Sequence, residues 1–309
     1  MVDQAKKRII LVTGCSAGGI GAHLALVLAQ LPEAHTVYAT ARDVSKIPAE
    51  LSALPNVTTL PLDVTSASSV AAAAQAVASS GGLDVLVNNA GSGYTMPLLD
   101  VDVAYAQRVH DANVWGPIRT TQAFSDLLVS SGKGRVVNVS SVGAFVNTPW
   151  IGVYSSSKAA LNMLSDTLRL ELAPFGVSVV SLMIGTVATP FHANEPEVVL
   201  SESSRYAAVV QTISDWAKGR AGPKGGSVEE IARSLVPDVL GTGGGQYHVW
   251  KGANSGAVRF MSRWLPVSVL VRARPPCFRL LCEIWCSLLI ILLLMSRMVS
   301  CRPDRVWLS

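Results

Sequence analysis

The sequence predicts an α/β protein built on a single doubly wound parallel sheet with helices on both faces. Three observations point there. Short, nearly uninterrupted apolar runs alternate with segments of helical periodicity over residues 9–240, the runs are rich in Val and Ile, and the first leads straight into a glycine-rich turn. Strands buried on both faces read as continuous apolar runs, and parallel neighbours need a helical crossover between them.

Element by element, Ile9–Thr13 is the first strand, and the helix over 22–31 is stopped by Pro32, whose ring cannot continue a helix. Strands follow over 36–40 and 57–62, then an Ala-rich helix over 66–78. A fourth strand, 85–87, ends at Asn88-Asn89-Ala90-Gly91. Residues 100–129 carry helical pattern broken near Gly116-Pro117. A fifth strand covers 135–140, a helix 154–172 closed by Pro174, and a sixth strand 177–183. From 190 to 227 the pattern dissolves into Ser, Glu and Gly around one weak helix. So long a connection marks a functional loop region. A helix over 228–240 and a turn with a last strand over 243–249 complete the unit.

Half of the 309 residues are hydrophobic and 15% are charged, which excludes a disordered chain. The net charge is +4, with eight Arg beyond residue 258, so the main domain carries no nucleic-acid footprint. Of five Cys, Cys15 stands alone and Cys277, Cys282, Cys286 and Cys301 lie in the tail. No disulfide framework follows, and without a nearby His or CxxC spacing no metal site is expected. The apolar run after the polar N-terminus is too short for a signal-peptide core, so the expected location is cytoplasmic.

The tail, 266–309, is hydrophobic and studded with Arg and Cys. Glu283 and Arg297 bracket only thirteen residues, against the about 20 apolar residues a spanning helix needs. An interfacial membrane anchor over 280–298 on the cytosolic face is one reading. A helix docked on the core and a non-native segment are the others.

The first chemical signal is Thr13-Gly14-Cys15-Ser16-Ala17-Gly18-Gly19-Ile20-Gly21, between the first strand and first helix. Glycines let backbone N–H groups approach a phosphate, and the helix N-terminus adds positive partial charge. The second strand ends Ala39-Thr40-Ala41-Arg42. An acidic residue here would hold a ribose 2′-hydroxyl, whereas a basic one holds a 2′-phosphate. Thr40 and Arg42 therefore favour NADPH over NADH. Asp63, after the third strand, is placed to accept from an adenine amine; helix capping by Asp63 or Thr65 is the plainer role.

The second signal is Tyr154 and Lys158, four apart at a helix start and so on one face. A neighbouring ammonium favours the phenolate and brings a tyrosine toward working pH. Ser141 lies thirteen residues before Tyr154.

These motifs, in this order and spacing, resemble the short-chain dehydrogenase/reductase family. The resemblance spans residues 7–265 and rests on the glycine turn, Asp63, Asn88-Asn89-Ala90-Gly91, Asn113, Ser141, Tyr154 with Lys158, and the run from Gly185 to Thr189. It implies a Rossmann-type domain binding NADP(H). Tyr154 would give a proton to the carbonyl oxygen, and Lys158 would bind the nicotinamide ribose and lower the Tyr154 pKa. Ser141 would hydrogen-bond the substrate oxygen; Asn113 would hold a backbone kink and a water of the proton relay. Gly14, Ser16, Gly19, Ile20, Gly21 and Asn89 would line the cofactor, with Val187 and Thr189 at its carboxamide and phosphate side, and Asn88 would support the sheet. The turn holds one residue more than the family's common form, so whether Gly18 or Gly19 takes the family role stays open, and Ile184 stands where the family has Pro. The doubled glycine, the run at 185–189 and the segment after Tyr247 look like fungal reductases akin to 1-acyldihydroxyacetone-phosphate reductase, a group that includes secondary-metabolite ketone reductases. The early half is also similar to 17β-hydroxysteroid dehydrogenases.

The expected partner is a small lipophilic carbonyl or alcohol. The loop after Thr189 carries Phe191, Val198, Val199, Leu200, Tyr206, Val209, Val210, Ile213 and Trp216, residues that would otherwise simply roof the core. His192 reads as a solvated loop histidine, and Ser155, Ser156 and Ser157 as small residues at a helix start. The family resemblance implies a dimer or tetramer. A non-catalytic NADP-binding regulator on the same fold is the rival from another class, and a membrane protein whose tail is the point is a second.

Overall fold

In the computed structural model, which describes residues 7–265, the chain runs β1 (Ile9–Thr13), α1 (Ile20–Ala29), β2 (Thr36–Ala41), α2 (Ala49–Ser52), β3 (Val57–Pro61), α3 (Ala67–Ser79) and β4 (Val85–Asn88). It continues through α4 (Val103–His110), α5 (Gly116–Ser130), β5 (Arg135–Ser141), α6 (Gly152–Leu172), β6 (Ser178–Ile184), α7 (Val210–Ala217), α8 (Val228–Leu240), β7 (His248–Lys251) and α9 (Ser255–Trp264). The seven strands form one sheet in the order β3-β2-β1-β4-β5-β6-β7, every neighbouring pair parallel. The expected doubly wound α/β fold is what the chain adopts.

Side chains alternate across the sheet with the period of a strand. Ile10, Val12, Val85, Val87, Val137, Val139, Val180 and Leu182 join α1 and α8 in one apolar layer. Leu11, Leu86, Val136 and Val179 point the other way, onto Val77 of α3, Phe124 and Leu128 of α5 and Leu168 of α6. Since both faces are covered, the strands need no polar alternation, and for that reason they read as unbroken apolar runs.

On this second face runs a buried polar chain. Asn88 Nδ2 donates to Asn138 Oδ1 at 2.8 Å, Asn138 Nδ2 donates to Ser165 Oγ at 2.8 Å, and Thr120 Oγ1 donates to Asn88 Oδ1 at 2.7 Å. These bonds tie the end of β4 and the middle of β5 to α5 and α6. Buried amides need such partners, and a fully satisfied network fixes one arrangement.

The helical break expected near Gly116-Pro117 is a π-helical turn, Asp111–Trp115, joining α4 to α5. Pro117 follows it in the first turn of α5, where its missing N–H costs nothing. Ser66 caps α3 by accepting from Ser69 N, so neither Asp63 nor Thr65 has that role. The short α2 and the terminal α9 were not expected. α9 buries only Val258, Met261 and Ser255, too thin an apolar stripe to stand out. Among the described residues no helix is long and apolar enough to cross a membrane. The expected anchor over 280–298 lies outside them.

Candidate active site

The strand order reverses between β1, which leads outward to β2 and β3, and β4, which leads outward to β5, β6 and β7. In open α/β sheets ligands bind where the order reverses, at the carboxyl ends of the strands. The two elements emerging there are the glycine turn after β1 and the Asn88-to-Gly91 segment after β4.

They are bonded together. Thr13 Oγ1 accepts from Asn89 N at 2.9 Å and Ala90 N at 3.0 Å, and Asn89 Nδ2 donates to Thr13 O at 2.9 Å and Gly14 O at 3.1 Å. Asn89 is thereby a brace of the turn. Gly14 has φ +75°, and a Cβ there would stand 2.9 Å from Ala90 Cα. A Cβ on Gly21 would strike Asn89 Nδ2 and come within 2.6 Å of Gly14 O. The open question between Gly18 and Gly19 has a divided answer. Gly18 takes the left-handed φ of +73° and packs against the substrate loop, since a Cβ there would lie 3.0 Å from Pro190 Cγ. Gly19 is extended and begins α1.

α1 starts with no side-chain cap, so its first N–H groups have no side-chain acceptor. Ser16 is exposed beside them. Arg42 is exposed just past β2. Thr40 is a correction: it is fully buried and its hydroxyl donates to Val12 O at 3.1 Å, so the side chain serves the sheet rather than a ligand. Asp63 holds Thr65 through its N–H at 2.9 Å and its hydroxyl at 2.7 Å.

Ser141 ends β5, Tyr154 and Lys158 stand in the first turns of α6, and Asn113 sits in the π-helical turn. Ser141 Oγ accepts from Gly143 N at 3.0 Å and is a hydrogen-bond partner of the Tyr154 phenol. Lys158 is buried, its Nζ donating to Val139 O at 2.9 Å and lying 5.8 Å from the Tyr154 ring centroid. Asn113 is fully buried. It accepts from Ser92 N at 2.8 Å and donates to Ser92 O and Ser157 Oγ, both at 2.9 Å. Ser157 Oγ in turn donates to Tyr154 O at 2.6 Å. Ser157 is thus more than a small residue: it connects Asn113 to the backbone of Tyr154. Nothing in its type or spacing signalled that.

Burial dominates the electrostatics. It pushes the Lys158 ammonium from 10.5 down to about 8. It also raises the Tyr154 phenol, against a smaller lowering by the Ser141 hydrogen bond. The lowered Tyr154 pKa expected from Lys158 is therefore not what this geometry produces: the phenol is held as the protonated acid.

Over this cluster lies the loop that follows β6. Val187 pairs with Gly226 in a single bridge, and Thr189 Oγ1 accepts from Phe191 N at 3.4 Å. Phe191 meets the Tyr154 ring edge-on, centroids 5.7 Å apart. Val198, Ile213 and Ala217 are buried in an apolar cluster with Tyr94, Met96, Val109 and Val153, and Leu200, Tyr206, Val209 and Val210 pack on it. Among the large apolar residues of the loop, Val199 alone is exposed, at 77%. The loop is a roof, and a largely apolar one. His192 is a further correction: its Nδ1 donates to Glu195 Oε1 at 2.9 Å, so it is bonded rather than simply solvated. Glu195 is a site-adjacent group that sequence reasoning left unassigned, because a loop without periodicity gives no indication of direction.

Comparison with known proteins agrees with this geometry. The family model described as short chain dehydrogenase matches residues 8–198. A short-chain dehydrogenase of Penicillium crustosum is 42% identical over 242 residues, covering 78% of this chain and 87% of that protein. An NADPH-dependent 1-acyldihydroxyacetone phosphate reductase of Schizosaccharomyces pombe is 37% identical over 278 residues, 85% of this chain and 91% of that one. A crystal structure of a short chain dehydrogenase from Burkholderia cenocepacia in complex with NADP superposes with a TM-score of 0.69 at 26% identity, covering 88% of this chain and all of that one.

Proposed function

The chain belongs to the short-chain dehydrogenase/reductase family and is an NADP-dependent oxidoreductase, and from that premise we propose that it reduces a ketone or aldehyde carbonyl of a lipophilic substrate, with residues 7–265 as the catalytic unit. The observation that carries the reading is the convergence of Tyr154, Ser141, Lys158 and Asn113 at the carboxyl end of β5 under an apolar roof.

The residues present fit the cofactor. The uncapped start of α1 suits a diphosphate, the bare glycine surface at Gly14 and Gly21 suits close approach, and Arg42 suits a 2′-phosphate. Ser16, Gly19, Ile20, Asp63, Asn89, Val187 and Thr189 would complete the contacts, and Lys158 would bind a ribose. A nicotinamide held there would supply the hydride that reduces the carbonyl carbon. Tyr154 Oη gives its proton to the carbonyl oxygen, with Ser141 Oγ hydrogen-bonded to the same oxygen. Asn113 holds the Ser92 backbone and Ser157 in place.

The deciding assay is NADPH consumption by purified protein over a carbonyl panel, with NADH as control. The panel holds an acyl-dihydroxyacetone phosphate, a steroid ketone and aromatic polyketide ketones. Tight NADPH binding with no turnover anywhere would favour the regulator reading. The Arg42→Asp variant is expected to lose about tenfold to a hundredfold of the preference for NADPH over NADH, the worth of a charge-assisted hydrogen bond. Equal preference in both proteins would remove Arg42 from the site.

Trp115, Met163 and Leu170 support a symmetric assembly through α6, being 54%, 70% and 72% exposed. Met163 and Leu170 are two turns apart on one face. Met163→Glu with Leu170→Glu should lower the mass measured by light scattering to that of a monomer. An unchanged mass would move the interface elsewhere.

A further inference from the structure

The Glu195 carboxylate is not used by the chemistry above. Its side chain is only 3% exposed. One oxygen accepts from His192 Nδ1 at 2.9 Å, while Oε2 is buried and has no hydrogen-bond partner among the described residues. A buried acceptor, above all a charged one, is costly when unpaired. Its position is also specific. The carboxylate packs against the bare backbone of Gly93, where a Cβ would collide with Glu195 and lie 2.8 Å from Phe191 Cε1. The Phe191 ring is the one that meets Tyr154 edge-on. Glu195 lies close enough for its charge to act on the phenols of both Tyr154 and Tyr105. Glu195 also lines a cavity of about 240 Å³ whose other walls include His192, Glu197, Val198, Ser214 and Lys218.

Resting on the carbonyl-reductase reading, we propose that Glu195 determines specificity: its free carboxylate oxygen accepts a hydrogen bond from a hydroxyl that the substrate carries apart from the reacting carbonyl, so that the preferred substrates are hydroxylated ketones. A hydroxyl suits the surroundings better than an ammonium. Phe191 and the apolar roof would force an ammonium to shed its water, and His192 already stands against the carboxylate as the cationic partner when protonated. A site built around a buried polar group discriminates strongly against the analogue lacking the matching donor, because the group is then left unpaired.

The test uses tetralone and its ring-hydroxylated isomers. Binding to the NADP+-loaded protein is measured by calorimetry, where no reduction takes place, and turnover with NADPH is measured separately. In the wild type at least one hydroxylated isomer should bind about tenfold or more tightly than tetralone. Glu195→Leu should bring that ratio to about one, with tetralone binding changed less than about threefold. Glu195→Gln, which keeps the shape and one acceptor, should fall between. His192→Ala should keep the preference, which separates recognition from simple stapling of the loop. The proposal is overturned if no isomer is preferred, if the preference survives in Glu195→Leu, if His192→Ala erases it as fully, or if none of these ketones binds. A Glu195-dependent binding preference without turnover would uphold it and instead sink the carbonyl-reductase reading.

Discussion

Tyr154→Phe should lower kcat for NADPH-dependent carbonyl reduction by about a hundredfold to ten-thousandfold, the range over which a positioned general acid contributes. NADPH affinity and thermal stability should stay at wild-type values, because the ring and its edge contact with Phe191 are retained. The pH dependence carries further information. Burial raises the phenol above its ordinary value, so the proton is in place through the neutral range. Reduction, which consumes that proton, should run level at neutral pH and fall in the alkaline range as the phenol ionises. Alcohol oxidation, which needs the phenolate, should rise over the same interval. Initial rates of both directions against pH test this. A Phe variant that kept a tenth of the activity would remove Tyr154 from the chemistry.

Lys158 gives the second large effect, and its readout is stability. Its pKa is about 8 in the folded ligand-free protein, against an ordinary 10.5. Below pH 8 both folded and unfolded chains carry the proton, and the folded one bears a buried charge at full cost. Between the two values the unfolded chain still holds a proton that the folded chain has released, so stability from this group rises with pH. The whole interval amounts to about 3 kcal/mol. Wild type compared with Lys158→Met by urea unfolding should therefore gain on the variant by an amount of that order as pH rises from 8 to 10.5. The variant should also lose reductase activity at every pH. A flat stability difference would mean that Lys158 is solvated in the folded state. A cation is kept here at a cost to folding, which is the pattern of a residue retained for binding.

Much of this was legible beforehand. The strands could be read because both faces of the sheet are covered, which leaves β1, β4, β5 and β6 as apolar runs bounded by turns. The helix over Val228–Leu240 was found to the residue, since Ser227 caps it and Gly241 ends it in the left-handed conformation. Tyr154, Lys158 and Ser141 lie together as their spacing along the chain suggested, and Asn113 joins them through Ser157. The failures have physical causes. Thr40 was assigned by its place at a strand end, but alternation turns its hydroxyl into the sheet. The Tyr154 pKa was assigned from a neighbouring charge, whereas burial governs it and only the Ser141 hydrogen bond opposes the rise. Glu195 and His192 acquire their partners through loop conformation, which no periodicity encodes, and Ser157 meets Asn113 through the packing of α6 on the π-helical turn.

The contact of Gly18 with Pro190 links two binding events. The turn suited to phosphates and the first residue of the roof touch at one bare glycine, so the two share their compliance. A ligand that stiffens the turn also stiffens the hinge from which the roof hangs. The converse holds to the same extent, because coupling between two sites is reciprocal. Coenzyme and ketone are therefore expected to change one another's affinity by one common factor, which calorimetry of each with and without the other reads.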